Sequence, residues 1–192
     1  MKYRMTDEYI EVFGVRLHRI EALISFSNIR KGELGGYIEK ENNLSQYGAA
    51  WVFGNAKVFG NAKVCGNACV CGDAWVYGNA CVCGDAEVYD DAKVYGDAWV
   101  CGDACVFGNA KVCGDAKVCG NADYIVFKNW WSSGRYFTFT FSNKKWSVGC
   151  FYGTSDELVK KAIGDSEESG REYKRVVDYV NSIINEKEGG EE

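Results

Sequence analysis

Residues 56–80 read AKVFGNAKVCGNACVCGDAWVYGNA and repeat a six-residue unit, Ala-x-Val-y-Gly-Asn/Asp. Valine recurs at every sixth position from Val52 to Val118, twelve times without an insertion. Across that range, the glycine position of the unit departs from glycine only at Asp90. A fixed short period is the signature of a repeat architecture, so this segment decides the fold.

The even period predicts how the unit is arranged in space. Side chains alternate between the two sides of a strand, so a six-residue period keeps each position on one side throughout. Alanine and valine then face one way, and the variable x and y positions face the other. Glycine, asparagine and aspartate tolerate positive φ, so the Gly-Asn/Asp pair predicts tight corners between four-residue strands.

Two β architectures fit such strands. An antiparallel meander with type II′ turns at Gly-Asn or Gly-Asp is one of them. In that register, however, directly opposed residues would share a face, and the apolar positions would be scattered over both faces. A parallel coil stacks like on like and keeps alanine and valine together, so we favour a solenoid.

The hexads of residues 48–122 resemble the hexapeptide-repeat, left-handed β-helix superfamily. That resemblance implies three hexads per coil, four to five coils and left-handed winding. Glycine follows the valine one position later than in many members of the superfamily. The segment LGGYIEKENNLS at 34–45, followed by Trp51-Val52, is similar to YdcK-like hexapeptide proteins of bacteria and prophages.

Residues 18 apart should stack on one face of such a coil. One face then combines cations with aromatic rings, a mixture that suits a protein partner or an anionic or planar ligand. The simpler interpretation is that the aromatic rings cover the coil edges and the lysines provide solubility. The candidate partner-binding residues are Lys57, Phe59, Trp75, Tyr77, Lys93, Tyr95 and Lys111.

Cysteine is unusually frequent, with ten residues in the chain. One predicted column contains Cys65, Cys83, Cys101 and Cys119. We expect poor disulfide geometry there, because stacked side chains point the same way, and we interpret these cysteines mainly as small buried residues. Since no Cys-x2-Cys pair occurs, the sequence predicts no metal site, and it predicts no cofactor.

The regions that flank the hexads predict caps of different kinds. Residues 1–47 predict an N-terminal β cap with a hairpin turning at Gly14, followed by an entry coil. Residues 48–123 form the predicted β-helix, and residues 124–192 a β-hairpin with two helices. Thr154 and Glu157 have the spacing of a capping box, which predicts the start of the first helix. The last five residues, 188–192, are expected to be frayed.

The predicted C-terminal hairpin also carries basic and aromatic residues. They make a second candidate surface for a partner, although attraction to the acidic C-terminal helix explains the same charges. Its residues are Trp130, Trp131, Arg135, Lys144 and Lys145.

The composition disfavours several functions. A net charge of −5 argues against nucleic-acid binding, which usually needs a basic surface. His18 is the only histidine, so multi-histidine metal sites are excluded, and no phosphate-binding or nucleophile-elbow motif occurs. We expect a cytoplasmic protein without a membrane span, since the start lacks an apolar segment and no apolar run is long enough.

The sequence therefore predicts a non-catalytic interaction or scaffold protein. The resemblance to prophage proteins suggests a phage or mobile-element origin and a role in binding and blocking a host protein. One alternative is an oligomer that sequesters a nucleotide or another small anion. A second alternative is an acyltransferase-like enzyme of the hexapeptide superfamily. We also expect self-association, because solenoid faces rich in tryptophan and tyrosine are large apolar patches.

Overall fold

A computed structural model describes the backbone of residues 1–189 and the side chains of residues 1–186. The chain divides into two compact units, one over Met1–Asp123 and one beginning at Tyr124. The predicted frayed end at 188–192 lies largely outside the described residues. The first unit is mainly β, and the second combines a β-sheet with two helices.

The first unit begins with an antiparallel hairpin of β1 (Tyr3–Val12) and β2 (Val15–Ala22). Phe13 and Gly14 form its turn, both with positive φ, which confirms the hairpin. β2 pairs antiparallel with β3 (Leu34–Ile38), and β3 pairs parallel with Lys57–Val58 of the repeat region. A short 3-10 helix at Glu41–Asn43 leads into the hexads.

Twelve two-residue strands follow at six-residue intervals, shorter than the predicted four residues. They are β4 (Trp51–Val52), β5 (Lys57–Val58), β6 (Lys63–Val64), β7 (Cys69–Val70), β8 (Trp75–Val76), β9 (Cys81–Val82), β10 (Glu87–Val88), β11 (Lys93–Val94), β12 (Trp99–Val100), β13 (Cys105–Val106), β14 (Lys111–Val112) and β15 (Lys117–Val118). A 3-10 turn at Asn121–Asp123 ends the unit.

The repeat strands form three parallel sheets, which makes this unit a β-solenoid of about five turns. Each strand pairs with the strand 18 residues further along, as Lys57 does with Trp75 and Lys93 with Lys111. Strands β5, β8, β11 and β14 extend the sheet that β1, β2 and β3 begin. The two other sheets have the orders β13-β10-β7-β4 and β15-β12-β9-β6. The parallel arrangement is confirmed, and the antiparallel meander is excluded.

The alanine and valine columns form the interior of the solenoid, as predicted. Every alanine from Ala50 to Ala116 and every valine from Val52 to Val118 in these columns is at most 1% exposed. Backbone hydrogen bonds connect successive turns, for example from Lys57 N to Ala74 O at 2.9 Å and from Phe59 N to Val76 O at 3.1 Å. A narrow core of small side chains is therefore combined with a continuous backbone ladder.

Glycine is required at the corners for two reasons that Gly84 illustrates. Its φ is +72°, a left-handed conformation that side chains with a Cβ atom disfavour. A Cβ atom there would also lie 2.9 Å from the backbone nitrogen of Gly102 in the next turn. Asp90 adopts φ +58° at the same repeat position, and its carboxylate accepts a hydrogen bond from Gly108 N at 3.2 Å.

Trp51 corrects the prediction that the x position always faces solvent. Its side chain is 1% exposed, because the N-terminal cap covers the first turn. The rings of Tyr3 and Phe26 pack edge-on against it, with centroids at 6.2 and 5.4 Å. The cap thus protects the end of the solenoid from solvent.

The second unit contains a four-stranded antiparallel sheet and two helices. Its elements are β16 (Tyr124–Lys128), β17 (Tyr136–Thr140), β18 (Lys145–Val148), β19 (Phe151–Gly153), α1 (Ser155–Asp165) and α2 (Glu167–Gly189). Gly149, with φ +58°, separates β18 from β19. Helix α1 continues through Gly164 to Asp165.

Aromatic side chains fill the core of this unit. Phe137, Phe139 and Trp146 are at most 1% exposed and pack with Leu158 of α1 and Val180 of α2. Tyr173, Val176, Val177 and Val180 form an apolar stripe along α2 that is buried. The capping box of α1 is also confirmed, since Thr154 N donates to Glu157 Oε2 at 2.7 Å and Glu157 N donates to Thr154 Oγ1 at 3.3 Å.

Candidate functional site

The parallel register brings the predicted lysines and tryptophan into one column. Lys57 pairs with Trp75, Trp75 with Lys93, and Lys93 with Lys111 on consecutive turns of one sheet. The Nζ atoms of Lys57 and Lys93 lie 5.4 and 5.0 Å from the centre of the Trp75 ring. Cations at this distance are attracted by an aromatic ring, so Trp75 is held between two ammonium groups.

A second column of aromatic rings runs beside this one. Phe59 and Tyr77 stack with centroids 5.1 Å apart, and Tyr77 and Tyr95 stack with centroids 5.0 Å apart. Each pair is within 4° of parallel, since the backbone spacing of about 4.8 Å between turns sets the ring spacing. Lys57, Trp75, Lys93 and Lys111 lie on strands of this sheet, and Phe59, Tyr77 and Tyr95 directly follow three of those strands. We refer to the seven residues together as the Lys–aromatic face.

The N-terminal hairpin covers one end of the Lys–aromatic face, which the sequence did not predict. Phe13, at the hairpin turn, packs edge-on against Trp75 with centroids 5.7 Å apart and is itself 83% exposed. Leu17 and Tyr37 form a buried cluster with Phe59. Phe59 is only 8% exposed, so it is not available as a contact residue, contrary to our prediction. It packs instead against the N-terminal cap.

The remaining residues of the face are half-buried, which holds them in defined positions. Lys57, Trp75, Tyr77, Lys93, Tyr95 and Lys111 all have this intermediate exposure. Burial raises the pKa of Tyr77, with a further contribution from nearby Cys113, so its hydroxyl stays neutral around pH 7. The arrangement offers a row of cations beside a rigid aromatic surface.

The second candidate surface is divided between different parts of the C-terminal unit. Trp130 is 70% exposed and meets Trp131 edge-on at 4.8 Å, before β17 begins. Arg135 immediately precedes β17, whereas Lys144 and Lys145 lie after its other end. A five-residue strand spans about 17 Å, so the structure does not bring these residues together at one site.

The cysteines lie mainly on the two other faces of the solenoid. Burial is the largest cause that raises the pKa of Cys69 to about 12 and of Cys83 to about 11, so both stay as thiols near neutral pH. Cys101 and Cys119 are joined by a disulfide with Cα atoms 4.5 Å apart, while Cys65 and Cys83 of the same column are free thiols. Among the described residues, no cluster of three or more His, Cys, Asp or Glu side chains is arranged to hold a metal ion.

The single histidine has a local structural contact. Nδ1 of His18 lies 2.9 Å from the carbonyl oxygen of Thr6, and the ring packs at 5.8 Å from Tyr9. These contacts connect β1 to β2 across the β-bulge in the hairpin.

No protein-family model and no curated protein sequence matches the chain. Within residues 1–189, no helix is both long and apolar enough to cross a membrane.

Proposed function

We propose that this chain is a non-catalytic interaction protein that binds and blocks a host protein through the Lys–aromatic face. The observation that carries the proposal is Trp75, held between Lys57 and Lys93 beside the Tyr77–Tyr95 stack. Tryptophan and tyrosine dominate the energetics of protein interfaces, most strongly where neighbouring contacts exclude water. Because packing already fixes these side chains, little conformational entropy is lost when a partner binds.

The charges of the face indicate the chemistry of the partner. Lys57, Lys93 and Lys111 share one column with a spacing of about 4.8 Å per turn, and Trp75 occupies the turn between Lys57 and Lys93. A partner with a row of carboxylates would match this column, while an apolar or aromatic strip would cover Tyr77 and Tyr95. Such a complex associates more slowly as salt screens the charges.

Further parts of this proposal rest on the sequence resemblance. We propose that the solenoid is a left-handed coil of three hexads per turn in the hexapeptide-repeat superfamily. A phage or mobile-element origin, a cytoplasmic location and self-association belong to the same hypothesis. The partner-binding role does not depend on the direction of winding, since the register alone builds the Lys–aromatic face.

The test uses two triple variants, each of which replaces two lysines and one tryptophan by alanine, on different sheets of the solenoid. The face variant combines Lys57→Ala, Trp75→Ala and Lys93→Ala. The control variant combines Lys63→Ala, Trp99→Ala and Lys117→Ala, which remove two lysines and one tryptophan from the outer side of the β15-β12-β9-β6 sheet. A protein captured from a bacterial lysate by the wild-type chain is purified, and its affinity for all three chains is measured by calorimetry.

We expect the face variant to bind at least a hundredfold more weakly, as loss of an aromatic hot spot with its flanking charges predicts. The control variant should bind within about threefold of the wild type. Equal affinities for the face variant and the control variant would contradict the proposal. Binding of a nucleotide by the wild-type chain, with no protein partner, would replace the proposal by the small-anion alternative.

A further inference from the structure

The C-terminal unit contains a cavity that plays no part in the Lys–aromatic face. Its volume is about 680 Å³, and it lies between the strand connections of the sheet and the helices α1 and α2. Ligand-binding cavities for small organic molecules commonly measure about 300–1,000 Å³. The cavity is therefore of a size that could hold a small molecule within one unit.

One wall of the cavity has a fixed polar network. Asn129, 2% exposed, accepts a hydrogen bond from Ser132 N at 2.9 Å and donates to the Tyr173 hydroxyl at 3.2 Å. In the described part of the chain, this is the only hydrogen bond of that hydroxyl. Tyr173 can thus donate its own proton to an acceptor in the cavity that it lines.

The cations of the cavity are not equally compensated. Asp165 pairs with Lys161 at 3.8 Å, whereas Arg135 has no ion pair within the described residues. The Arg135 guanidinium lies against the β18–β19 turn, where a Cβ atom at Gly149 would be 3.2 Å from Nη1. Because Arg135 and Lys161 both line the cavity and only Lys161 is paired, the cavity lining carries a net positive charge.

The cavity also has an apolar lining. Val148 and Phe151 of the sheet and Leu158 and Ala162 of α1 contribute it. A ligand that fits this lining needs an apolar body and a single negative charge. Arg135 attracts that charge, whereas Asp165 would repel a second one. An arginine offers paired N–H donors that match the two oxygens of a carboxylate.

We propose that this cavity binds a small organic monocarboxylate. Arg135 holds the carboxylate through its N–H groups, and the Tyr173 hydroxyl donates to the same group. Val148, Phe151, Leu158 and Ala162 cover the apolar body of the ligand. The cavity is then a ligand site in addition to the protein-binding face.

The test uses the full chain and 2-naphthoate as the probe, with 2-naphthamide as its uncharged counterpart. Calorimetry or ligand-observed NMR would measure both affinities. We expect 2-naphthoate to bind at least about tenfold more tightly than 2-naphthamide, because only the carboxylate gains charge-assisted hydrogen bonds. Equal binding of the two probes, or no binding of 2-naphthoate at 10 mM, would overturn the proposal.

Two variants and one control assign the binding to this cavity. Arg135→Gln should weaken 2-naphthoate binding about tenfold, and Tyr173→Phe about fivefold. Arg175→Gln is the control, since Arg175 pairs with Glu172 and does not line the cavity. If Arg135→Gln and Arg175→Gln bind equally well, the probe occupies another place and the proposal is wrong.

An independent readout is the protection of Cys150, an exposed thiol that lines the cavity. Peptide mass spectrometry can follow its alkylation separately from that of the other cysteines. Bound 2-naphthoate should slow alkylation of Cys150 and leave that of Cys105, in the solenoid, unchanged. The same alkylation rate at Cys150 with and without saturating probe would contradict binding in this cavity.

Discussion

The solenoid buries one alanine and one valine per hexad, whereas the C-terminal unit buries Phe137, Phe139 and Trp146 beneath two helices. In the solenoid, each turn contacts its neighbours through the same backbone ladder, so stability is distributed along the repeat. In the C-terminal unit, a few large side chains carry most of the packing. Single substitutions should therefore have unequal effects in the two units.

The largest effect is expected from Trp146→Ala in the C-terminal core. Trp146 is fully buried, packs against Phe139 at 4.8 Å and donates from Nε1 to Ser155 Oγ at 3.0 Å. We expect a loss of about 3–5 kcal/mol in the free energy of unfolding of this unit, measured by denaturant titration. Hydrogen exchange should show the solenoid amides still protected.

Trp130→Ala is the matched control for that substitution. Trp130 is 70% exposed, so its removal should change the free energy of unfolding by about 0.5 kcal/mol or less. Similar losses for the two tryptophans would show that the core is not concentrated around Trp146.

The next largest effect is expected from a glycine at a corner of the solenoid, Gly84. Gly108, which also has a positive φ, serves as its control. Gly84→Ala adds a Cβ atom 2.9 Å from the next turn, while Gly108→Ala adds one with nothing within 4 Å. Both substitutions cost about 1 kcal/mol because alanine disfavours the positive φ of these corners. Only the new Cβ atom of Gly84→Ala also collides with the backbone of the next turn. We expect Gly84→Ala to lower the free energy of unfolding by about 1–2 kcal/mol more than Gly108→Ala does, and therefore to have the lower midpoint of thermal unfolding. Equal midpoints would mean that the turns are not in close contact.

These two comparisons also explain what could be predicted from sequence. The valine period fixed the pairing of Lys57 with Trp75 because both residues belong to one repeating register. The packing of Phe13 on Trp75 joins residues outside any shared period, so no local pattern indicated it. The burial of Phe59 followed from the same hairpin and was missed for the same reason.

The C-terminal unit shows the same limit. Thr154 and Glu157 predicted the helix start because capping depends on residues three apart. The cavity beside Tyr173 depends on Asn129, 44 residues away, and on the turn at Gly149. Sequence spacing could not bring those residues together, although it did single out Arg135.

A pH-dependent effect is expected at the N-terminal cap, where burial lowers the pKa of Lys2 to about 8. The Lys2 ammonium donates to Ala50 O at 2.8 Å. Between about pH 8 and 10.5 the unfolded chain binds more protons at Lys2 than the folded chain does, so the free energy of unfolding rises with pH. Below pH 8 the cost of burying the charged amine is fully present.

Lys2→Met isolates this contribution from the thiols and tyrosines that titrate in the same range. The free energy of unfolding of the wild type, minus that of Lys2→Met, should rise by about 2 kcal/mol from pH 7.5 to 10. A difference that stays constant or falls over this interval would show that the cap does not lower the pKa of the Lys2 amine.

The smallest effect concerns the corner side chains of the solenoid. Asn61 donates to Asn79 and Asn79 to Asp97, at 3.1 and 2.9 Å. Asp115 follows one turn later, so two carboxylates occupy consecutive corners. Asp97→Asn should raise the free energy of unfolding by about 0.5 kcal/mol, because the new amide can donate onward and one like charge is removed. Asp165→Asn, on α1, should not stabilise the solenoid, and equal gains would contradict the ladder.

The most direct test of the Lys–aromatic face is hydrogen exchange on the complex between the wild-type chain and its captured partner. We predict slowed exchange at 75–77 and 93–95, with the amides at 63–65, 81–83 and 99–101 unchanged. Protection confined to these latter segments, on the β15-β12-β9-β6 sheet, would contradict the assignment of the Lys–aromatic face as the binding surface.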